Sequence, residues 1–155
     1  MLRISKKFKF DMAHKLEGHR GLCQNIHGHT YEMEVIVEGK IIDTEGSSAR
    51  GMVMDYGDLK SVVKGFIDDY LDHAVLVSSQ ADDWKKFLKR NGYKCTIVPF
   101  RATAENMCVW CYKELNSMLQ KAFEDNSFEN NGAFLAGIRI WETPTSMAEY
   151  FPNPS

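Results

Sequence analysis

The sequence has no apolar run near the roughly 20 residues that a membrane span requires. Its opening stretch, residues 1–10, is positively charged but has no apolar segment behind it, so no secretory leader is expected and a cytoplasmic location is. Charge of one sign is also missing: 19 Lys and Arg against 21 Asp and Glu leave −2. That balance argues against a surface built to grip nucleic acid or an anionic membrane. There is no Pro/Gly/Ser-rich linker, repeat or low-complexity tract, so one domain over residues 1–155 is expected. A chain of this length buries roughly 68–70% of its unfolded surface, enough for a core without disulfide staples. The 4 cysteines therefore read as thiols. Cys108 and Cys111 form a C-x-x-C that could serve redox chemistry or half a zinc site. They lie in a helical apolar pattern with no second such pair, and packing in a core is the better reading for them and for Cys95.

What is present is a change of period along the chain. Ile4, Phe8, Phe10 and Met12 alternate over residues 3–14, with Lys6 as the exception, and predict a half-buried strand. Residues 27–42 continue with Tyr31, Met33, Val35 and Val37 on one face. A polar turn over 43–51 and a third short strand near 52–56 suggest a hairpin. Leu59, Val62, Val63, Phe66, Ile67 and Tyr70 then recur at helical spacing over 58–71, with Asp58 as the cap. A shorter helix over 82–91 ends at Gly92, and a strand follows near 94–99. Thr103 caps a second long helix whose buried face carries Ala104, Cys108, Cys111, Leu115 and Leu119. Residues 133–142 form the last strand, with Phe134, Ile138 and Ile140 on the apolar face. The class implied is α+β with an antiparallel sheet.

Polar residues interrupt those apolar faces. His14 shares the parity of Phe8, Phe10 and Met12. His27 and His29 share that of Tyr31, Met33 and Val35, and an H-x-H on a strand projects both rings to one side. Glu142 closes the face of Ile138 and Ile140. Burying such groups unpaired is expensive. Each histidine could be hydrogen-bonded separately at a sheet edge, but three on consistent faces favour a metal ion. Three imidazoles with an open fourth position suit a catalytic Zn2+. Cys23, just ahead of His27-Gly28-His29, could complete a closed site or face the open position as a thiolate base or nucleophile. Asp72-His73 is either a functional pair or an ordinary helix end. His19 reads as a loop residue.

Taken in order, these residues resemble a known family. Phe8-x-Phe10-x-x-Ala13-His14, Cys23-x-x-x-His27-Gly28-His29-x-Tyr31, Gly51-x-x-x-Asp55-Tyr56-Gly57-Asp58-Leu59-Lys60, Leu71-Asp72-His73, Thr103-Ala104-Glu105-Asn106 and Glu142-Thr143 follow the succession of the 6-pyruvoyl-tetrahydropterin synthase family. The three residues between Cys23 and the H-G-H resemble its carboxy branch, which serves queuosine (7-deazapurine) biosynthesis. The resemblance implies the tunnelling fold: an antiparallel four-stranded sheet with two helices on one face, sheets joined into a barrel by oligomerisation as a trimer or hexamer, and active sites between subunits. It implies a lyase in which His14, His27 and His29 hold zinc. Cys23 would be the base, Asp72 and His73 the partner acid/base, and Glu142 the pterin anchor, with Thr103 and Glu105 lining the pocket. The implied reaction converts 7,8-dihydroneopterin triphosphate to 6-carboxytetrahydropterin, acetaldehyde and triphosphate. The alternatives are the pyruvoyl-type synthase or a related pterin lyase and, from another class, a non-catalytic zinc-binding protein. The expected partner is a small pterin, not nucleic acid or membrane. Two departures stand out: Ala102 replaces the family's proline, and the segment 77–101 is long.

Overall fold

The computed structural model describes residues 1–152. Two 13-residue strands, β1 (Leu2–His14) and β2 (His27–Gly39), pair antiparallel along their whole length, from Leu2 opposite Gly39 to His14 opposite His27. Period-2 alternation explains the pairing: Phe10, Met12, Tyr31, Met33, Val35 and Val37 are buried. The opposite face carries ion pairs, among them Lys7–Glu32 at 2.7 Å and Arg139–Glu34 at 3.3 Å.

Tyr56–Phe66 is α1, and its last turn widens through Ile67–Leu71, where the Asp72 amide donates back to the Ile67 carbonyl at 2.8 Å. Ala74–Ser78 is β3, Asp82–Arg90 is α2, Cys95–Val98 is β4 and Ala104–Glu124 is α3. Phe134–Thr143 (β5) and Ser146–Tyr150 (β6) finish the described chain. The sheet order is β4-β3-β1-β2-β5-β6. The expected four-stranded antiparallel sheet is its β1-β2-β5-β6 portion, and β3 and β4 add to the β1 edge in parallel. Helices α1 and α3 supply Leu59, Val63, Phe66, Met107, Cys108, Cys111, Leu115 and Leu119 to the same core as the apolar sheet face. Burial raises the Cys108 thiol to about 12 and that of Cys111 well above its ordinary value, as inert core thiols require.

Three local expectations need correction. Residues 52–56 are not a strand. Ile42 and Met52 share one backbone hydrogen bond (2.8 Å), and the chain then turns into α1. The cap of α1 is Asp55, whose carboxylate accepts from the Gly57 amide, and Asp58 lies in the first turn. Phe134 is 40% exposed, because Ile36 faces Gly137 and Val37 faces Leu135. That shift leaves Ala136 as a bulge and hands the core position to Leu135.

Gly137 carries the ring of Phe151 directly over its Cα, where a methyl group would collide. Gly137→Ala is expected to displace Phe151 from its contacts with Arg3 and Arg139 and to cost about 1–3 kcal/mol, read as a lower urea midpoint.

Candidate active site

The β1–β2 register builds the site. Phe10 faces Tyr31, Met12 faces His29 and His14 faces His27, so the core-facing rows of the two strands end in three imidazoles. β3 begins beside that end, with Leu76 paired to His14. One ligand atom from each of His14, His27 and His29 lies within 4.8 Å of the others, and Cys23 is not among them.

Backbone carbonyls set the ring orientations. His14, 2% exposed, has Nδ1 2.7 Å from the Ala102 carbonyl, and His27 has Nδ1 2.8 Å from the Asn25 carbonyl. A carbonyl only accepts, so both Nδ1 atoms carry a proton and both rings turn Nε2 toward the site, where that of His14 meets the Tyr31 hydroxyl at 3.4 Å. Burial lowers the His14 pKa, which favours the neutral, ligating form. The Nε2 of His29 is buried without a hydrogen-bond partner. A buried polar atom left unpaired is costly, and a cation held by the three Nε2 atoms removes that cost. The set therefore fits a metal, and three imidazole ligands suit zinc.

Glu142 stands beside this group, with its carboxylate oxygens 3.9 Å from His14 Nε2 and 3.8 Å from His29 Nε2. Trp141 pairs Met147 while Thr143 pairs Ser146, so Glu142 is the extra residue of a second bulge in β5. Bulges of this kind re-aim a side chain beside a functional site. The β2–β5 ladder ends at Glu32–Trp141, and Glu142, the next residue, is close enough to Tyr31 for its carboxylate to act on the phenol. Burial, and then the charge of Glu142, push the Tyr31 phenol up, so it stays a neutral donor.

Two clefts meet at His29 and Thr30. One, of about 660 Å³, runs along Lys7, Lys9, Glu32, Trp141, Glu142 and Thr143. The other, of about 480 Å³, is bounded by Asp11, Gly28, His73 and Val75. A Cβ at Gly28 would stand 3.2 Å from the Met12 carbonyl oxygen, so a side chain there would crowd both β1 and the cleft.

Asp72 and His73 come together as a pair, carboxylate to Nδ1 at 2.9 Å. The Asp11 amide donates to the other Asp72 oxygen at 3.1 Å, and the His73 amide donates to the Asp11 carbonyl at 2.7 Å. These bonds hold His73 in a left-handed backbone (φ 55), which is uncommon outside glycine. Burial acts to raise the Asp72 pKa, but the Asp11 amide and His73 outweigh it and bring the carboxyl below its ordinary value. A depressed carboxylate stabilises the fold above its unfolded pKa of roughly 3.9, and the contribution is lost as pH falls through the lower folded value. Asp72→Asn should therefore be less stable than the parent at neutral pH, with the gap closing in acid. Denaturation midpoints across pH check this.

Cys23 sits half-buried in a single turn, Leu22–Gln24, between β1 and β2, and its carbonyl accepts from the Leu16 amide at 2.8 Å. Thr103 caps α3 through the Asn106 amide (3.4 Å), and Glu105 lies exposed on its first turn. Neither lines either cleft. The contribution of this segment that residue types could not reveal is the neighbouring Ala102 carbonyl, which fixes His14. Tyr31 and the Asn25 carbonyl were equally hidden. The H-G-H-x-Y spacing placed Tyr31 on the right face, but only the register showed its neighbours.

Comparisons with known proteins give the family and the fold. The sequence profile described as 6-pyruvoyl tetrahydropterin synthase matches residues 3–153. A 6-carboxy-5,6,7,8-tetrahydropterin synthase of Haemophilus influenzae is 39% identical over 153 residues, covering 97% of this chain and 99% of that protein. Among solved structures, an uncharacterised protein of Wolinella succinogenes superposes with a TM-score of 0.75 at 21% identity, covering 98% of each chain. The 6-pyruvoyl tetrahydropterin synthase of Caenorhabditis elegans gives 0.67 at 22%, covering 98% of this chain and 96% of that one. At such identities the structural likeness speaks for the fold.

Proposed function

The chain belongs to the 6-pyruvoyl tetrahydropterin synthase family, and from that premise we propose that it is a zinc-dependent 6-carboxy-5,6,7,8-tetrahydropterin synthase. The substrate in this reading is 7,8-dihydroneopterin triphosphate, and the products are 6-carboxytetrahydropterin, acetaldehyde and triphosphate. The observation that carries the reading is the three-imidazole group with an unpartnered buried Nε2, set beside a carboxylate on the same apolar face. The 39% identity over nearly the full length of a carboxy-type relative supports the carboxy branch.

His14, His27 and His29 would hold the zinc. When bound, zinc supplies Lewis-acid stabilisation of negative charge developing on substrate oxygens. Glu142 offers two acceptor oxygens to the paired N–H donors of the pterin's aminopyrimidinone edge, with Tyr31 beside it. Cys23, as thiolate, removes a carbon-bound proton, and the Asp72–His73 pair takes or returns the proton of a side-chain hydroxyl. Asp72 keeps the His73 Nδ1–H in place, so that Nε2 is the working atom. Thr103 and Glu105 line neither cleft of the single chain, so their contact with the pterin in this reading is across a subunit boundary. The edges of the sheet are β4 and β6, and joining sheets edge to edge in a trimer or hexamer would protect strand edges. Each chain contributes one domain over residues 1–155. No helix among the described residues is long and apolar enough to cross a membrane.

Zinc-loaded protein given 7,8-dihydroneopterin triphosphate should release acetaldehyde in step with substrate loss. Triphosphate released without acetaldehyde would move the assignment to the pyruvoyl-type reaction. No turnover by metal-loaded protein would reject both.

A further inference from the structure

We infer that Trp84, in the long segment between β3 and β4, is a positioning residue for Cys23, acting through the Lys15–Leu16 backbone. The inference rests on the role proposed for Cys23. Helix α2 is fixed to the sheet by the buried side chain of Leu88 and by Lys85, whose Nζ donates to the Ser79 carbonyl at 2.7 Å. Its aromatic rings form a stack. Trp84 and Phe87 lie 5.4 Å apart at 11°, and Phe87 and Tyr93 lie 6.2 Å apart at 30°. At the free end of that stack the Nζ of Lys15 stands 5.7 Å from the Trp84 ring centroid, within the range of a cation–π contact. Lys15 follows the last residue of β1, and its neighbour Leu16 donates its amide to the Cys23 carbonyl at 2.8 Å. The Leu16 carbonyl in turn accepts from the His19 amide at 3.1 Å. The turn that carries Cys23 is thus tied to the Lys15–Leu16 stretch, whose Lys15 rests on Trp84.

The chemistry of the contact also says which part of Trp84 matters. Its indole Nε1 is buried with no hydrogen-bond partner among the described residues. The ring face, not the N–H, holds the loop, so phenylalanine should substitute for tryptophan and alanine should not.

The test is the alkylation rate of Cys23 by iodoacetamide in the full zinc-loaded chain, followed by peptide mapping that separates Cys23 from Cys95. Trp84→Ala should change that rate and lower kcat on the order of tenfold, the effect of a displaced catalytic group, with KM and zinc content little changed. Trp84→Phe should restore both. Lys15→Met, a milder change, should shift the alkylation rate about two- to fivefold, the size of a partly exposed cation–π contact. An unchanged Cys23 rate in folded Trp84→Ala and in Lys15→Met overturns the inference, whatever turnover does. Failure of the Cys23 reading looks different: Cys23→Ala would stay active while the Trp84 variants still altered alkylation.

Discussion

Cys23→Ala is expected to retain its zinc and to lose turnover by about 10²–10⁴-fold, the contribution typical of a positioned general base. The metal group explains the first half of that result. Three imidazoles lie within 4.8 Å of one another without the thiol. Two of them are already locked by carbonyls of Ala102 and Asn25, so the orientation of those two does not depend on Cys23. The half-buried thiol sits on its own turn, tied to the loop through its backbone carbonyl and not through sulfur. Removing the sulfur therefore leaves that turn's backbone bond in place. Metal content by mass spectrometry and turnover, measured on the same preparation, separate the possibilities. A parallel fall of zinc and activity would make Cys23 a fourth ligand and the site a closed, structural one.

The parts of this site visible in the sequence were those governed by parity. His14, His27, His29 and Glu142 each sit on an apolar face by simple alternation, and the register brings those faces to one end of the sheet. Helix α3 was equally legible, because Thr103 caps it and its apolar spacing has a single period. Other elements gave weaker signals for physical reasons. Most of β3 (Ala-Val-Leu-Val-Ser) is buried between two neighbouring strands, so it shows no alternation, and a short apolar run can be read several ways. β6 is a mostly exposed edge strand with little apolar pattern. The stretch 52–55 has the composition of a strand, but Asp55 uses its carboxylate to start α1 instead. The carbonyls that orient His14 and His27 have no residue-type signature at all, since any residue could present them. A bulge such as that at Glu142 depends on the count of residues in two strands, and only the folded register reveals it.

His14→Ala is expected to abolish stoichiometric zinc binding, and with it activity, while His19→Ala leaves both the metal and the fold in place. His14 is the most deeply buried of the three imidazoles, at 2% exposure, and lies between His27 and Leu76 of β3. Its loss removes one of the three proposed ligands and strands the Ala102 carbonyl in a buried position, at about 1–3 kcal/mol. His19 is the matched control: its Nδ1 accepts from the Gly21 amide at 2.9 Å within the loop, and it is outside the metal group. Thermal unfolding with and without added zinc gives a readout independent of catalysis. A ligand that binds only the native state stabilises it by about 2.7 kcal/mol at one hundred times its Kd. The parent and His19→Ala should therefore melt higher with zinc, and His14→Ala should not respond. A zinc-dependent rise that survives His14→Ala would place the ion elsewhere in the chain. The three-histidine group would then be a set of neutral, separately hydrogen-bonded rings, and the buried Nε2 of His29 would need another partner.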